Sequence, residues 1–219
     1  MPTKTARAKP ATASGAAGIE TKPGKAHRGG FLREFLRTPG AIGAVTPSSR
    51  FLGARLIEGI DFAKVRVAVE YGPGTGPYSD MIASRMAPGS TFFAVEVNER
   101  FADIFRKKHP HLKLHHRSAA DIGLLLAEHG LSAEASVDVI FSGIPWASLP
   151  HAVQVQIMDA SYKALKPGGQ FRTLAYYLGL VTPSARKFHK LICEYFVRVE
   201  RSEPVFRNMP PAFIYRCWK

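Results

Sequence analysis

The sequence predicts an α/β fold in which a mostly parallel, seven-stranded sheet carries helices on both faces. Two observations predict it. Strand-like and helix-like segments alternate along most of the chain, a pattern typical of parallel strands connected by helices. A glycine-rich turn, "EYGPGTG" at 70–76, follows the first of those strands and leads into a helix-like segment. In doubly wound sheets, such a turn lies at the carboxyl end of a strand, where ligands bind.

The length and composition predict one folded domain with an N-terminal extension. The chain has 219 residues, of which 46% are apolar, enough for one core. Residues 1–30 contain almost no large apolar side chains, so we expect a disordered basic tail there. Residues 31–60 are predicted to form an amphipathic helix and a lid segment, and 61–219 the α/β domain.

The extension begins with an amphipathic segment, "FLREFLR". At helical spacing its apolar residues share one face and its cations lie elsewhere. These residues are Phe31, Leu32, Phe35 and Leu36 on the apolar face and Arg33 and Arg37 outside it. The stretch "TPGAIGAVTPSS" then breaks the helix, and Ser48 or Ser49 is suited to cap the next one.

The alternation predicts the following elements in chain order. Strands are expected near 65–70, 91–96, 112–116, 137–142, 169–177, 196–201 and 212–217. Helices are expected near 48–59, 77–86, 98–108, 119–129, 150–165 and 183–194. Pro77 suits the first turn of its helix, where a missing N–H costs nothing. The stretch "KPGG" at 166–169 is interpreted as a structural turn between helix and strand.

The charge predicts an anionic partner. The formal net charge is +13, and residues 1–30 hold six Lys or Arg and one Glu, so about +8 belongs to the rest. Nucleic acid and the surface of an anionic bilayer both fit such a balance.

No apolar run approaches the roughly 20 residues of a spanning helix, and no signal peptide is evident. The two cysteines match no metal spacing, so we expect no metal.

The glycine turn indicates a nucleotide-like ligand. Gly72, Gly74 and Gly76 occupy every second position, and Pro77 stands where a dinucleotide fingerprint needs its third glycine. Together with Glu70, the run resembles motif I of class I S-adenosylmethionine-dependent methyltransferases. The resemblance implies that S-adenosylmethionine is the cofactor and that Glu70 binds its ammonium group, directly or through water. A glycine turn without a ligand is the alternative.

Two further positions complete the predicted cofactor site. Glu96 ends the second strand, where a carboxylate can accept hydrogen bonds from both ribose hydroxyls. In the superfamily that motif I resembles, an acidic residue often follows the third strand and contacts the adenine amine. The resemblance implies that Ser118, with the backbone at Ala119, takes that place here. Asp121 fits equally well as an acid at a helix N-terminus.

The end of the fourth strand carries "SGIPW", at 142–146. Many enzymes that methylate planar amino groups have an Asn or Asp here, followed by Pro-Pro and an aromatic residue. Ser142 fits that pattern poorly, although Trp146 either stacks on a base or packs in the core. At the fifth strand, Tyr176 is predicted to face the cleft. We predict Ser142 and Tyr176 as catalytic residues.

Four blocks in order, "GAVTPSS", "EYGPGTG", "SGIP" and "RNMPPAFIYRC", resemble the bacterial phospholipid N-methyltransferases over about residues 31–219. The resemblance implies methylation of phosphatidylethanolamine to its mono-, di- and trimethylated forms, the last being phosphatidylcholine. Similar sequences methylate ornithine lipids, which is the alternative substrate. The blocks also imply substrate-binding residues, namely Pro47, Ser48, Ser49, Gly143, Ile144, Arg207 and Asn208.

The same reading predicts a peripheral enzyme on the inner face of the cell membrane, working as a monomer. The segment 31–37 either lies in the bilayer interface or packs on the core. The rival interpretations are an rRNA adenine N-methyltransferase and a methyltransferase-like fold used only for binding. Nucleic acid is the less favoured partner because of Ser142.

Overall fold

The computed structural model describes residues 47–219, with side chains from residue 50 onward. The predicted tail, 1–30, and the predicted membrane segment, 31–37, lie outside the described residues. Within the part that is described, no helix is long and apolar enough to cross a membrane.

One seven-stranded sheet organises the domain, in the order β3-β2-β1-β4-β5-β7-β6. Strands β1 to β5 are parallel, whereas β7 runs antiparallel to both β5 and β6. The strands are β1 (Val67–Tyr71), β2 (Thr91–Val95), β3 (Leu114–His115), β4 (Val137–Ser142), β5 (Leu165–Tyr176), β6 (Arg198–Arg201) and β7 (Ala212–Trp218). The predicted fold class is confirmed.

Six α-helices are described: α1 (Pro47–Ile57), α2 (Ser79–Ala83), α3 (Glu99–Lys108), α4 (Ile122–Glu128), α5 (His151–Ala164) and α6 (Pro183–Tyr195). Short 3₁₀ turns occupy Ala119–Asp121, Trp146–Ser148 and Tyr177–Val181.

The predicted range of 77–86 for α2 is too long. Pro77 lies in the turn before the helix rather than in its first turn. At the other end, Pro88 disfavours helical backbone in the residue before it.

Strand β5 begins earlier than predicted. Val137 pairs with Leu165, but Val139 pairs with Gln170, so the "KPGG" stretch bulges out of the ladder. Gly168 has φ +75°, the left-handed backbone that such a bulge requires.

The core lies in two layers, one on each face of the sheet. Val69 points into a layer formed with α4, α5 and α6, and its neighbour Ala68 points into a layer formed with α1 and α2. Arg172, also buried, fastens α1 to the sheet by donating to the carbonyls of Leu56 at 2.9 Å and Glu58 at 2.6 Å. These carbonyls at the end of α1 lack partners within the helix.

Candidate active site

The glycine loop lies where β1 ends, as predicted. Gly72, Gly74 and Gly76 have φ values of +58°, +59° and +78°, a conformation that strains any residue with a Cβ. The Gly72 N–H donates to the Val95 carbonyl at 2.8 Å, which ties the loop to the end of β2. A Cβ on Gly74 would meet nothing within 4 Å, so open space faces the loop there.

Glu70 is a buried carboxylate beneath this loop. Its Oε2 accepts a hydrogen bond from the Ser79 hydroxyl at 2.6 Å. Burial raises the pKa of Glu70 to about 7, and the negative charges of Asp80 and Glu96 add to the rise. A cationic ligand group would stabilise the ionised form. The ammonium group of S-adenosylmethionine has that chemistry.

Glu96 holds the other side of the loop. Its Oε2 accepts from the Gly74 N–H at 3.1 Å and its Oε1 from the Asn98 N–H at 2.8 Å. Burial raises the pKa of Glu96, while these N–H groups oppose the rise. Each carboxylate oxygen has a further lone pair, so the group can still accept hydrogen bonds from ribose hydroxyls.

His109 braces the loop, a role that the sequence did not indicate. Its Nδ1 lies 2.9 Å from the Asp80 carboxylate and its Nε2 lies 3.2 Å from the Thr75 carbonyl. Both partners are acceptors, so a ring nitrogen bonds its partner when it carries hydrogen. A Cβ on Gly76 would lie 2.3 Å from Nε2, which shows how closely the ring packs on the loop. No motif or spacing links His109 to a loop so distant in sequence.

Thr75 lies between the second and third glycines, and no feature of the sequence indicates a role for it. Its Oγ1 is buried and has no hydrogen-bond partner among the described residues. Leaving a buried hydroxyl unpaired is costly, and a polar ligand group at the loop would satisfy it. The buried carboxylates, this hydroxyl and the space at Gly74 together fit S-adenosylmethionine.

Ser118 and Ala119 lie at the start of the 3₁₀ turn that leads into α4. The Ser118 Oγ accepts from the Ala120 N–H at 3.2 Å and so caps the turn. Ala119 is buried in the core layer on that face. The adenine contact of these two residues stays a prediction. Asp121 lies in the first turn of the same 3₁₀ segment, as the macrodipole interpretation expected.

The end of β4 differs from the prediction. Ser142 is 2% exposed, and its Oγ accepts from the Trp146 indole N–H at 3.0 Å and from the Ile144 N–H at 3.3 Å. Trp146 is 3% exposed and stacks on Phe188 at 5.1 Å. The hydroxyl of Ser142 is therefore turned into the core, where it holds Ile144 and Trp146 in place. This arrangement does not support the predicted catalytic role of Ser142. In this arrangement Trp146 packs in the core and has no face for a base.

The residues after Ser142 do reach the cofactor loop. The Gly143 N–H donates to the Tyr71 carbonyl at 2.8 Å. A Cβ on Gly72 would lie 3.2 Å from the Ile144 Cγ1. The structure therefore brings the predicted substrate residues Gly143 and Ile144 against the first glycine of the loop.

Tyr176, the predicted cleft residue, ends β5 and packs with Tyr78 against the α1 side of the core. Burial raises the pKa of both tyrosines, and the proximity of Tyr176 raises that of Tyr78 further. Tyr78 follows the glycine loop directly, so Tyr176 lies on the cofactor side of β5. Its hydroxyl is neutral at physiological pH.

The remaining predicted substrate residues lie at the edge of this region. Arg207 places its guanidinium 4.7 Å from the ring centre of Phe51 in α1. Asn208 donates from Nδ2 to the Pro210 carbonyl at 2.7 Å and so braces its own loop. Residues 47–49, which include Pro47, Ser48 and Ser49, form the start of α1, with only their backbone described.

The chain is similar in sequence and in fold to known methyltransferases. No protein-family model matches the chain. The ornithine lipid N-methyltransferase of Singulisphaera acidiphila is 28% identical over 190 residues, which are 85% of this chain and 93% of that protein.

Among solved structures, the O-methyltransferase of Bacillus cereus in complex with S-adenosylhomocysteine has a TM-score of 0.61 and 18% identity, covering 86% of this chain and 90% of that one. The N-methyltransferase NodS of Bradyrhizobium japonicum has a TM-score of 0.61 and 14% identity, covering 80% and 97%. The magnesium protoporphyrin IX methyltransferase of Synechocystis, with bound S-adenosylmethionine, has a TM-score of 0.57 and 12% identity, covering 90% and 86%. The chain therefore has the fold of class I methyltransferases.

Proposed function

We propose that this chain is an S-adenosylmethionine-dependent N-methyltransferase that acts on the amine head group of a membrane lipid, with an ornithine lipid as the first candidate substrate. The observation that carries the proposal is the similarity to a curated ornithine lipid N-methyltransferase along 93% of that protein's length. The glycine loop and the carboxylates Glu70 and Glu96 are intact in this chain. Phosphatidylethanolamine, which the sequence resemblance favoured, is the second candidate.

The cofactor supplies an electrophilic methyl group on its sulfonium. The protein's part is to place an amine nitrogen in line with that methyl group and to leave a lone pair on the nitrogen. A primary ammonium, with a pKa near ~10, must first lose a proton. Gly143 and Ile144 lie against the glycine loop and have backbone carbonyls that can accept hydrogen bonds from the amine.

We assign Tyr176 to orienting the amine, not to removing its proton. It lies on the cofactor side of β5, and burial keeps its hydroxyl protonated. A neutral hydroxyl can accept a hydrogen bond from the amine and donate one onward, so it orients the amine without adding charge. Ser142 supports the adjacent backbone through its bond to Trp146.

The rRNA adenine alternative is weakened by the same strand end. A base would need a side-chain oxygen and an aromatic face there, but the Ser142 hydroxyl and the Trp146 ring are both engaged in the core. The positive charge alone does not separate RNA from an anionic membrane.

The test is methyl transfer from radiolabelled S-adenosylmethionine to three acceptors assayed in parallel: vesicles with an ornithine lipid, vesicles with phosphatidylethanolamine, and total RNA. At a cofactor concentration well below saturation, we expect label in the ornithine lipid, reduced about tenfold or more in Glu96→Ala and retained in Glu134→Ala. Glu134 is an exposed carboxylate in the loop before β4, at the amino ends of the parallel strands. Label only in phosphatidylethanolamine would select the second substrate. Label only in RNA would refute the proposal.

A further inference from the structure

A group of large apolar side chains is exposed at one edge of the domain. Leu178 and Val181, in the 3₁₀ turn after β5, are 69% and 74% exposed, and Phe206 and Met209, in the loop between β6 and β7, are 65% and 84% exposed. We call these four residues, with Tyr177, the edge patch. Large apolar side chains exposed close together along two adjoining loops indicate an interaction site, whereas single exposed ones do not.

The two segments of the edge patch are fixed to each other. The rings of Tyr177 and Phe206 lie 6.0 Å apart, and the Tyr177 N–H donates to the Pro211 carbonyl at 2.8 Å. Asn208 bonds within its own loop at 2.7 Å, which holds Met209 outward. The patch is therefore a preformed surface that needs little ordering on binding.

The edge patch lies at the carboxyl ends of the parallel strands, where the glycine loop also lies. Its first segment follows Tyr176, the last residue of β5, and its second segment leads into Ala212, the first residue of β7. Tyr176 packs near Tyr78, beside the glycine loop. A ligand held at the patch is therefore close to the candidate active site.

Within the two segments of the edge patch, all charged side chains are cations. The stretches 177–187 and 204–211 contain no Asp or Glu, but they contain Arg186, Lys187 and Arg207, all exposed. The neighbouring acid in sequence, Glu203, pairs with Arg55 at 3.1 Å. Three of the five patch residues, Leu178, Val181 and Met209, are aliphatic, and the two aromatic rings are tilted rather than stacked. Such apolar side chains beside cations fit a bilayer, whose anionic phosphates lie directly above an apolar layer. Single-stranded RNA would instead favour stacked aromatic residues among the cations.

We propose that the edge patch docks the domain on an anionic bilayer, with its apolar side chains at the boundary of the acyl chains and its three cations among the phosphates. The proposal deepens the proposed function, on which it rests, because docking at this edge brings an amine head group to the glycine loop without extracting the lipid. It adds a membrane contact separate from the segment 31–37.

The first experiment locates the contact. Tryptophan is placed in the full chain by Phe206→Trp and, as a matched control, by Val197→Trp. Val197 is 81% exposed and directly precedes β6, so it lies at the amino end of that strand, whereas the edge patch lies beyond its carboxyl end. The vesicles contain phosphatidylcholine, phosphatidylglycerol and a nitroxide-labelled lipid, with no amine-bearing lipid. We expect quenching of added fluorescence at position 206 and none at position 197. Vesicle binding without quenching at 206 would overturn the proposal, as would no vesicle binding.

The second experiment measures the contribution of the patch. The double variant Phe206→Ser, Met209→Ser should bind the same vesicles at least about tenfold more weakly, because two large apolar side chains no longer enter the interface. Val197→Ser should bind as the unmodified chain does. Equal binding by all three proteins would refute docking by the patch, and loss of binding to stem-loop RNA in place of vesicles would assign the surface to RNA.

The two proposals fail separately. The vesicles contain no methyl acceptor, so quenching at position 206 does not depend on catalysis. Affinity for S-adenosylmethionine, measured by calorimetry, should be the same in the double variant and the unmodified chain. Docking without methyl transfer to any lipid would refute the proposed substrate and leave the docking surface in place.

Discussion

Replacing Glu70 by Gln should raise the free energy of unfolding of the cofactor-free protein and lower its affinity for the cofactor. Burial raises the pKa of this carboxyl from 4.5 to about 7. Because the pKa is higher in the folded state, the folded protein binds this proton more tightly than the unfolded chain. Stability therefore falls as pH rises from about 4.5 to about 7, and the full cost applies above that range.

The magnitude follows from the shift. A change from 4.5 to about 7, at 1.36 kcal/mol per unit, corresponds to about 3 kcal/mol lost above pH 7. Gln cannot ionise, so it avoids this cost, and its carbonyl oxygen can still accept the bond from Ser79. Its amide N–H₂ is buried in exchange, which costs about 1 kcal/mol. We expect a net gain of about 2 kcal/mol at alkaline pH and no gain at acidic pH.

The assay is urea unfolding of the cofactor-free full chain and of Glu70→Gln, at about pH 5 and about pH 8.5. Calorimetry on the same samples should show cofactor affinity lower by at least about 100-fold, because the variant lacks the carboxylate that we predict to bind the ammonium group. A variant that is no more stable than the unmodified chain at the alkaline pH would refute the reasoning. It would mean that Glu70 ionises in the fold without cost.

Three further predictions concern the same edge of the sheet. Glu96→Ala should lower cofactor affinity about tenfold or more, because the Gly74 and Asn98 N–H groups lose their acceptor. Unchanged affinity, measured by calorimetry, would mean that Glu96 is not part of the cofactor site. Gly76→Ala should destabilise the protein by more than Gly74→Ala in urea unfolding, because both positions have positive φ but only Gly76 faces the buried imidazole; equal losses would contradict the close packing. Ser142→Ala should lower the free energy of unfolding by about 1–2 kcal/mol, because the Trp146 indole N–H loses its acceptor. The folded variant should transfer methyl groups at a rate within about threefold of the unmodified chain. A far larger loss of turnover would show that Ser142 is a catalytic residue.

Local features of the sequence were sufficient for the order of helices and strands and for the position of the glycine loop at the end of β1. Gly72, Gly74 and Gly76 could be assigned because positive φ is a property of single residues and needs no distant contact. Glu70 and Glu96 could be assigned because a parallel strand of known length fixes which residue stands at its carboxyl end. The early start of β5 was missed because its bulge depends on the register with β4.

The sequence by itself therefore determined the fold class, the glycine loop and the acids that follow β1 and β2, whereas only the tertiary structure decided how the polar side chains around that loop are paired. Ser142 turns inward because the Trp146 indole needs an acceptor in the core. His109 reaches Thr75 because α3 packs its end against the glycine loop. Backbone conformation is encoded by neighbouring residues, but the partner of a side chain is set by whichever distant segment the fold places beside it.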